Sequence, residues 1–288
     1  MRRLVGWDSP YFSRTLIALG LSVAIVGVVI FGIFNSFSRF LNAEFVVMTT
    51  ESMSDYTLAQ KVEVESSIHE TRGVLSSMRA LAESIDLESQ GEMYATYLQS
   101  WNEKGLFRVV YSSIEELEAG LEVNVLWKDE QIDILTRLKA GQSVVSEVRK
   151  SERYDGYYYS VAEPVVKDDR VVAVLRSVVD ASTLLQTSQE DTQVTLISSL
   201  LVKKDGSIIP VRQNTEGLAG VNLFELLEER GCSLQAVDQV RSGIQKDNEV
   251  ITTVIGSDGG STVFMTIAPL GINDWNIVNF TEESDLAR

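Results

Sequence analysis

The chain has 288 residues, 44% hydrophobic and 23% charged, with 41 acidic against 25 basic side chains and a net charge of −16. That balance argues against a nucleic-acid face, which needs clustered Lys and Arg, and against a surface that lies flat on anionic lipid. One cysteine and one histidine exclude an intramolecular disulfide, a thiolate zinc cluster and a His triad.

Near the N-terminus, Leu16 to Phe34 form a nineteen-residue run without charge, in which Ser22 is the single hydroxyl. At ~1.5 Å rise per residue such a run crosses a bilayer core of ~30 Å. A cleaved signal peptide is the competing reading. The apolar core exceeds the ~7–15 residues of a signal, and the following segment offers only a weak small-x-small site near Ala43. Arg2, Arg3 and Arg14 precede the run and Arg39 follows it. The positive-inside rule therefore predicts a cytoplasmic N-terminus (residues 1–15), a membrane span over 16–34 and an extracytoplasmic bulk. Residues 35–288 carry a net charge of −18.

From Ser36 to Ile85 there is no proline, and Gly73 is the only glycine. Val64, Ile68, Leu75, Met78, Ala82 and Ile85 recur on one helical face, so residues 36–85 read as one long helix or two end to end. Fifty helical residues would span ~75 Å. Part of that length must be a stalk, a dimer seam or both. His69 falls off the apolar stripe and reads as a solvated side chain. Further on, Glu92–Leu106 predicts a helix, Phe107–Ser113 a strand, and the stretch from Asp129 a helix with Ile132, Leu135 and Leu138 facing in and Gly141 as terminator. Strands follow at Ser143–Val148, Gly156–Val166 and Val171–Asp180, the last two joined by a tight turn at "KDDR", and then a short helix over Ala181–Gln186.

The polar segment "TSQEDT" (Thr187–Thr192) marks a boundary, and the pattern then recurs. A hairpin turns at Asp205-Gly206, helical pieces "LFELLEE" and "LQAVDQVRSGIQ" follow, and three strands finish the chain: "EVITTVIG", "STVFMTIAPL" and "WNIVNFTEE". Two strands, helices and three strands is the order of a PAS-like five-stranded unit. The expected class is α+β: a transmembrane helix, a stalk helix, then antiparallel-sheet modules at 86–188 and 189–283, with 284–288 leading onward.

The chain resembles the double Cache sensor domains of bacterial transmembrane receptors over about residues 36–283. "YYYSVAEPVVKDDRVVAVLRSVVDASTL" looks like the central hairpin of a membrane-distal Cache module, and "STVFMTIAPLGINDWNIVNFTEE" like the last hairpin of a membrane-proximal one. "VVYSSIEELE", a helix, "LKAGQSVVSEV" and "AEPV" together are similar to sensors placed ahead of GGDEF-type diguanylate cyclase domains. The resemblance implies an extracytoplasmic small-molecule sensor, homodimeric through its stalk, feeding a cytoplasmic output that lies beyond this sequence. A histidine kinase or chemoreceptor input, and a single-pass adaptor without a pocket, are the alternatives.

No GxSxG, HExxH or CxxC motif occurs, so neither catalysis nor a cofactor is expected. The resemblance places a ligand pocket in the distal module. Asp180 matches the position where many members hold a ligand amine, but "DAST" equally makes a helix N-cap. Arg176, four residues earlier on the same strand face, either neutralises a ligand carboxylate or lies on a solvent face. Tyr157 and Tyr159 either line the pocket or pack in the core, and Tyr111, Arg108 and Trp127 are further candidates. The amino-acid-binding pattern of the family includes a Trp-Tyr pair before the hairpin. "SERYDGYYYS" has Arg153 but no Trp nearby.

Overall fold

The computed structural model of the protein describes residues 10–104, 108–123, 128–151, 156–185, 197–246, 249–256 and 262–283. It divides into an N-terminal part through Ser52 and a compact body from Met53 onward. Helix α1 runs Pro10–Ser84. In its N-terminal part, the described side chains from Leu19 to Phe34 are apolar and exposed. Among the described residues, this is the one helix long and apolar enough to cross a membrane, judged by length and composition.

In the body, α1 buries Met53, Thr57, Gln60, Val64, Ile68, Thr71, Leu75, Met78 and Ala82. The steps of three and four make one continuous face. The buried face legible from Val64 thus extends about three turns further back, to Met53. There the polar Thr57 and Gln60 take over, because a buried asparagine on the last strand, Asn279, donates to both at 2.9 and 3.0 Å. His69 is exposed on the opposite side of the helix.

Helix α2 (Leu87–Lys104) precedes strand β1 (Arg108–Ser113), helix α3 (Ile114–Val123), helix α4 (Lys128–Lys139) and short strands β2 (Val144–Val145) and β3 (Arg149–Lys150). The long strands β4 (Tyr157–Lys167) and β5 (Arg170–Asp180) complete the first sheet, ordered β1-β5-β4-β2 with β3 also on β4. All its pairings are antiparallel. Asp168 and Asp169 close the β4–β5 hairpin at φ 47 and 59, a left-handed pair of the kind short carboxylate side chains tolerate.

The second sheet is built from β6 (Ser198–Lys203), β7 (Ile208–Ile209), β8 (Ile251–Gly256), β9 (Thr262–Pro269) and β10 (Trp275–Glu282), ordered β7-β6-β10-β9-β8. Helices α5 (Leu223–Glu229) and α6 (Leu234–Ile244) cover one of its faces. Asn222 and Ser233 cap them, accepting from the backbone N–H groups of Phe224 and Ala236. The architecture is α+β, a long apolar N-terminal helix followed by two antiparallel sheets, as expected of a double Cache module.

The main core joins one face of each sheet to α1. Tyr157, Tyr159, Val161 and Leu175 of the first sheet and Leu201, Trp275 and Ile277 of the second belong to one buried cluster with Leu75 and Met78. Strand alternation also brings Glu163 to this face, where Arg79 of α1 meets it at 3.2 Å. Burial pushes the Tyr159 phenol up to about 12, with the Thr183 hydroxyl pulling the other way. A raised phenol favours the fold below its unfolded pKa of about 10 and loses that contribution as pH rises through the folded value. Tyr159 should therefore contribute a fall of about 1.4 kcal/mol per pH unit between pH 10 and 12. Tyr159→Phe should remove that share of the slope in alkaline denaturation and leave the part due to the other raised phenols, Tyr56, Tyr94, Tyr111 and Tyr157; an unchanged slope would show that Tyr159 contributes none of it.

Candidate functional site

The other face of the first sheet faces α3 and α4 across a cavity of about 250 Å³. Its floor is alternate residues of the central strands, Ser160 and Ala162 from β4 and Val174 and Arg176 from β5, with Ser112 of β1 and Ser146 beside them. The same alternation that turns Tyr159, Val161 and Leu175 toward α1 turns these six the other way. The roof is Leu117 and Glu116 of α3 and the face Gln131, Ile134, Leu135 and Leu138 of α4.

Local chemistry fixes that roof. Ser113 and Glu116 form a capping box, the Ser113 N–H donating to Glu116 Oε2 at 3.0 Å and the Glu116 N–H donating to Ser113 Oγ at 3.1 Å. Lys139 at the end of α4 pairs with Glu118 of α3. Both ends of the roof are thus tied to the sheet or to each other.

Arg176 lies across from Val110 on one side and Ala162 on the other, in the middle of the sheet. Among the described residues it has no carboxylate partner. It lines the cavity yet is exposed, and partial desolvation by the neighbouring walls pulls its guanidinium below the ordinary value. Two hydroxyls stand on the same floor. Ser160 Oγ and Ser146 Oγ are 3.1 Å apart, and Ser146 Oγ accepts from the Ser160 N–H at 2.9 Å. A cationic fork, hydroxyls and the Gln131 carboxamide around apolar walls can hold a small anion with further polar groups.

The other candidates lie elsewhere. Asp180 ends β5, exposed, and its Oδ1 accepts from the Ser182 N–H at 2.8 Å at the start of the 3₁₀ turn Ala181–Leu185. Tyr157 and Tyr159 are buried in the core on the α1 side. Arg108 and Tyr111 line a groove between α2 and β1, where the Tyr111 ring meets Tyr94 edge-on at 5.8 Å. Trp127 and Arg153 fall outside the described residues.

The inward face of α4 differs from the expected one. Ile132 is exposed and Ile134 takes its place, because the helix presents Gln131, Ile134, Leu135 and Leu138 at i, i+3, i+4 and i+7. A search for apolar periodicity skips Gln131, since a residue that faces a polar cavity breaks the stripe. Ser146, Ser160 and Gln131 were missed for that reason. Their signal was polar residues at core parity in otherwise apolar elements.

The same α1-opposed face of the second sheet holds an apolar cavity. Among the described residues no group of three or more His, Cys, Asp or Glu side chains is placed to hold a metal ion.

No family model and no curated protein matches the chain. Solved structures do. The extracellular domain assigned to the histidine kinase mmHK1S-Z2 superposes with a TM-score of 0.59 at 11% identity, covering 83% of this chain and 98% of that one. The ligand-binding domain of the Pseudomonas aeruginosa PAO1 amino acid chemoreceptor PctB, in complex with L-Arg, gives 0.56 at 13% identity, covering 82% and 97%. The periplasmic sensory domain of the Campylobacter jejuni chemoreceptor Tlp1 gives 0.54 at 13% identity, covering 84% and 98%. At these identities the likeness is one of fold: this chain shares its architecture with sensory domains of histidine kinases and chemoreceptors.

Proposed function

We propose that the protein is the extracytoplasmic input of a membrane receptor, and that its distal cavity binds a small molecule carrying a carboxylate. The observation that carries this reading is Arg176, a guanidinium on the cavity floor without a carboxylate partner among the described residues. A neighbour of the same fold was solved with L-Arg and another, the Mlp24 domain, with asparagine. The carboxylate is the part of those ligands that Arg176 suits.

Residues 16–34 anchor the chain with its N-terminus in the cytoplasm, and the modules 86–188 and 189–283 stand outside. A homodimer forms along the free side of the stalk, where Leu58 and Val62 of α1 are exposed beside Ala59 and Ser66. Ligand acts by preferring one of two arrangements of the stalk pair. The sequence resemblance favours a diguanylate cyclase as output, and the solved neighbours fit a histidine kinase or a chemoreceptor equally well. The coding sequence past Arg288 discriminates these.

The test is thermal unfolding of the full chain in lipid nanodiscs against a panel of amino acids, dicarboxylates and hydroxy acids. At a hundred times its Kd, a true ligand adds about 2.7 kcal/mol. Arg176→Ala should weaken that ligand about ten- to a hundredfold, the value of one hydrogen bond to a charged group. A ligand that binds Arg176→Ala as tightly as the wild type would sink the assignment of the arginine. A panel without any stabilising carboxylate would sink the ligand class.

A further inference from the structure

The second module holds a cavity of its own, about 320 Å³, in the position that the distal cavity occupies in the first module. It lies on the sheet face away from α1. Its floor is Leu200 of β6, Val263 and Met265 of β9 and Phe280 of β10, and α5 roofs it with Leu223, Leu226 and Leu227. Leu200, Leu223, Leu227 and Met265 are buried, whereas Leu226, Val263, Phe280 and Cys232 are only partly so. The partly covered four form an apolar mouth. A single charged pair stands there, Arg230 Nη1 to Glu282 Oε1 at 3.8 Å, with both side chains solvent-accessible.

We infer that this proximal cavity is a second ligand site, for an uncharged amphiphile with a short aliphatic chain and a hydroxyl or amide head. Two features decide the class. Apart from the Cys232 thiol the walls are apolar side chains, which give a buried charge or hydroxyl little to bond and favour an apolar ligand body. The mouth offers a donor and an acceptor side by side with no net charge, which suits a head group that both donates and accepts. A carboxylate would be drawn to Arg230 but repelled by Glu282, and an ammonium the reverse, so neither ion gains net attraction to offset its desolvation. The distal site differs on both counts: its walls hold hydroxyls, a carboxamide and the Glu116 carboxylate, and its Arg176 has no salt-bridge partner among the described residues.

The chain supplies its own reporter, because Cys232 lines the cavity and is the only cysteine. The experiment measures the rate at which iodoacetamide alkylates Cys232 in the full chain in nanodiscs. The probes are 1-pentanol, pentanamide, pentanoate and pentylamine, each at an aqueous concentration fixed by dialysis. Pentanol and pentanamide should slow the reaction saturably, by about elevenfold at ten times Kd. Pentanoate and pentylamine should need higher concentrations for equal protection. Leu226→Trp, which fills the mouth, should abolish protection, and Val263→Phe serves if the first variant melts early. Arg176→Ala should leave protection unchanged, which separates this site from the distal one. No protection by either neutral probe overturns the site, as does protection that survives a folded, blocked variant. Protection that favours either ion overturns the ligand class.

Discussion

Trp275→Ala should cost the body about 3–5 kcal/mol, the range for emptying a fully buried aromatic site. Trp275 is 1% exposed at the first position of β10. Its ring stands perpendicular to Tyr159 at 6.2 Å, a pair that crosses from the second sheet to the first. Its Nε1 donates to Glu147 Oε2 at 3.2 Å, and the same oxygen accepts from Lys203 Nζ at 2.9 Å. One indole therefore belongs to the shared core and also satisfies a carboxylate of the β2–β3 connection. Removing it opens a cavity between the two sheets and strips one donor from Glu147. In a body of this size the loss corresponds to a fall in Tm of about 10 °C. Calorimetry should also show the single transition broadening or splitting, because the core that makes the sheets unfold together is weakened there. Trp275→Phe keeps most of the packing and removes the N–H, so it should cost only about 1–2 kcal/mol. Equal losses for the two variants would mean that the hydrogen bond, not the packing, holds the joint. A loss under about 1 kcal/mol for Trp275→Ala would show that neighbouring side chains collapse into the space.

The same joint offers a physical route from the cavity on the first sheet to the last strand, β10. Glu130 on α4 precedes cavity-lining Gln131, pairs with Arg149 and accepts from the Glu147 N–H at 3.3 Å. Glu147 touches Trp275, and four residues along β10 Asn279 grips Thr57 and Gln60 of α1. Movement of the α4 roof is thus in contact, step by step, with the helix that the sequence assigns to the stalk.

How much of this was readable beforehand depends on the kind of residue involved. The α1 face from Val64 to Ala82 was legible because apolar side chains repeat at helical spacing and nothing else competes for them. The hairpins at "KDDR" and Asp205-Gly206 were legible because left-handed turns restrict which residues can occupy them. Both sheets followed from strand order. What stayed hidden were polar residues at core parity, Thr57, Gln60 and Asn279 buried in the core and Gln131, Ser146 and Ser160 half-buried around the cavity. A polar residue at core parity reads as a break in a pattern until its partner is known, and those partners are distant in sequence. Asn279 and Thr57 are separated by 222 positions. Arg176 stood out for the opposite reason, since an arginine amid "VVAVLRSVV" cannot be mistaken for a packing residue.

Gly206→Ala should be among the most damaging single-methyl changes in the chain. The turn holds Gly206 at φ +90, and an added Cβ would lie 2.5 Å from Phe224 Cε2, 2.6 Å from its Cδ2 and 2.8 Å from Asn222 Oδ1. The neighbours cannot withdraw cheaply. Phe224 is buried, and Asn222 Oδ1 accepts from the Phe224 N–H at 2.9 Å as the cap of α5. The turn is bonded to the same place: Asn222 Nδ2 donates to the Asp205 carbonyl at 2.9 Å, and the Leu223 N–H donates to the Gly206 carbonyl at 2.8 Å. Left-handed strain of about 1–2 kcal/mol and overpacking of about 1–3 kcal/mol add to about 2–5 kcal/mol. Gly220 separates the two contributions, because it also has a left-handed φ, +77, but nothing within 4 Å of its added Cβ. Gly220→Ala should therefore lose only the strain, about 1–2 kcal/mol. Denaturant unfolding of both variants measures the difference, which is the cost of pushing Phe224 off the turn. Because Phe224 belongs to the core beneath α5, Gly206→Ala should also disturb the proximal cavity and change the alkylation rate of Cys232, while Gly220→Ala leaves that rate as it is. Equal stability losses for the two variants would show that α5 yields to the methyl group and that the docking of turn on helix is soft.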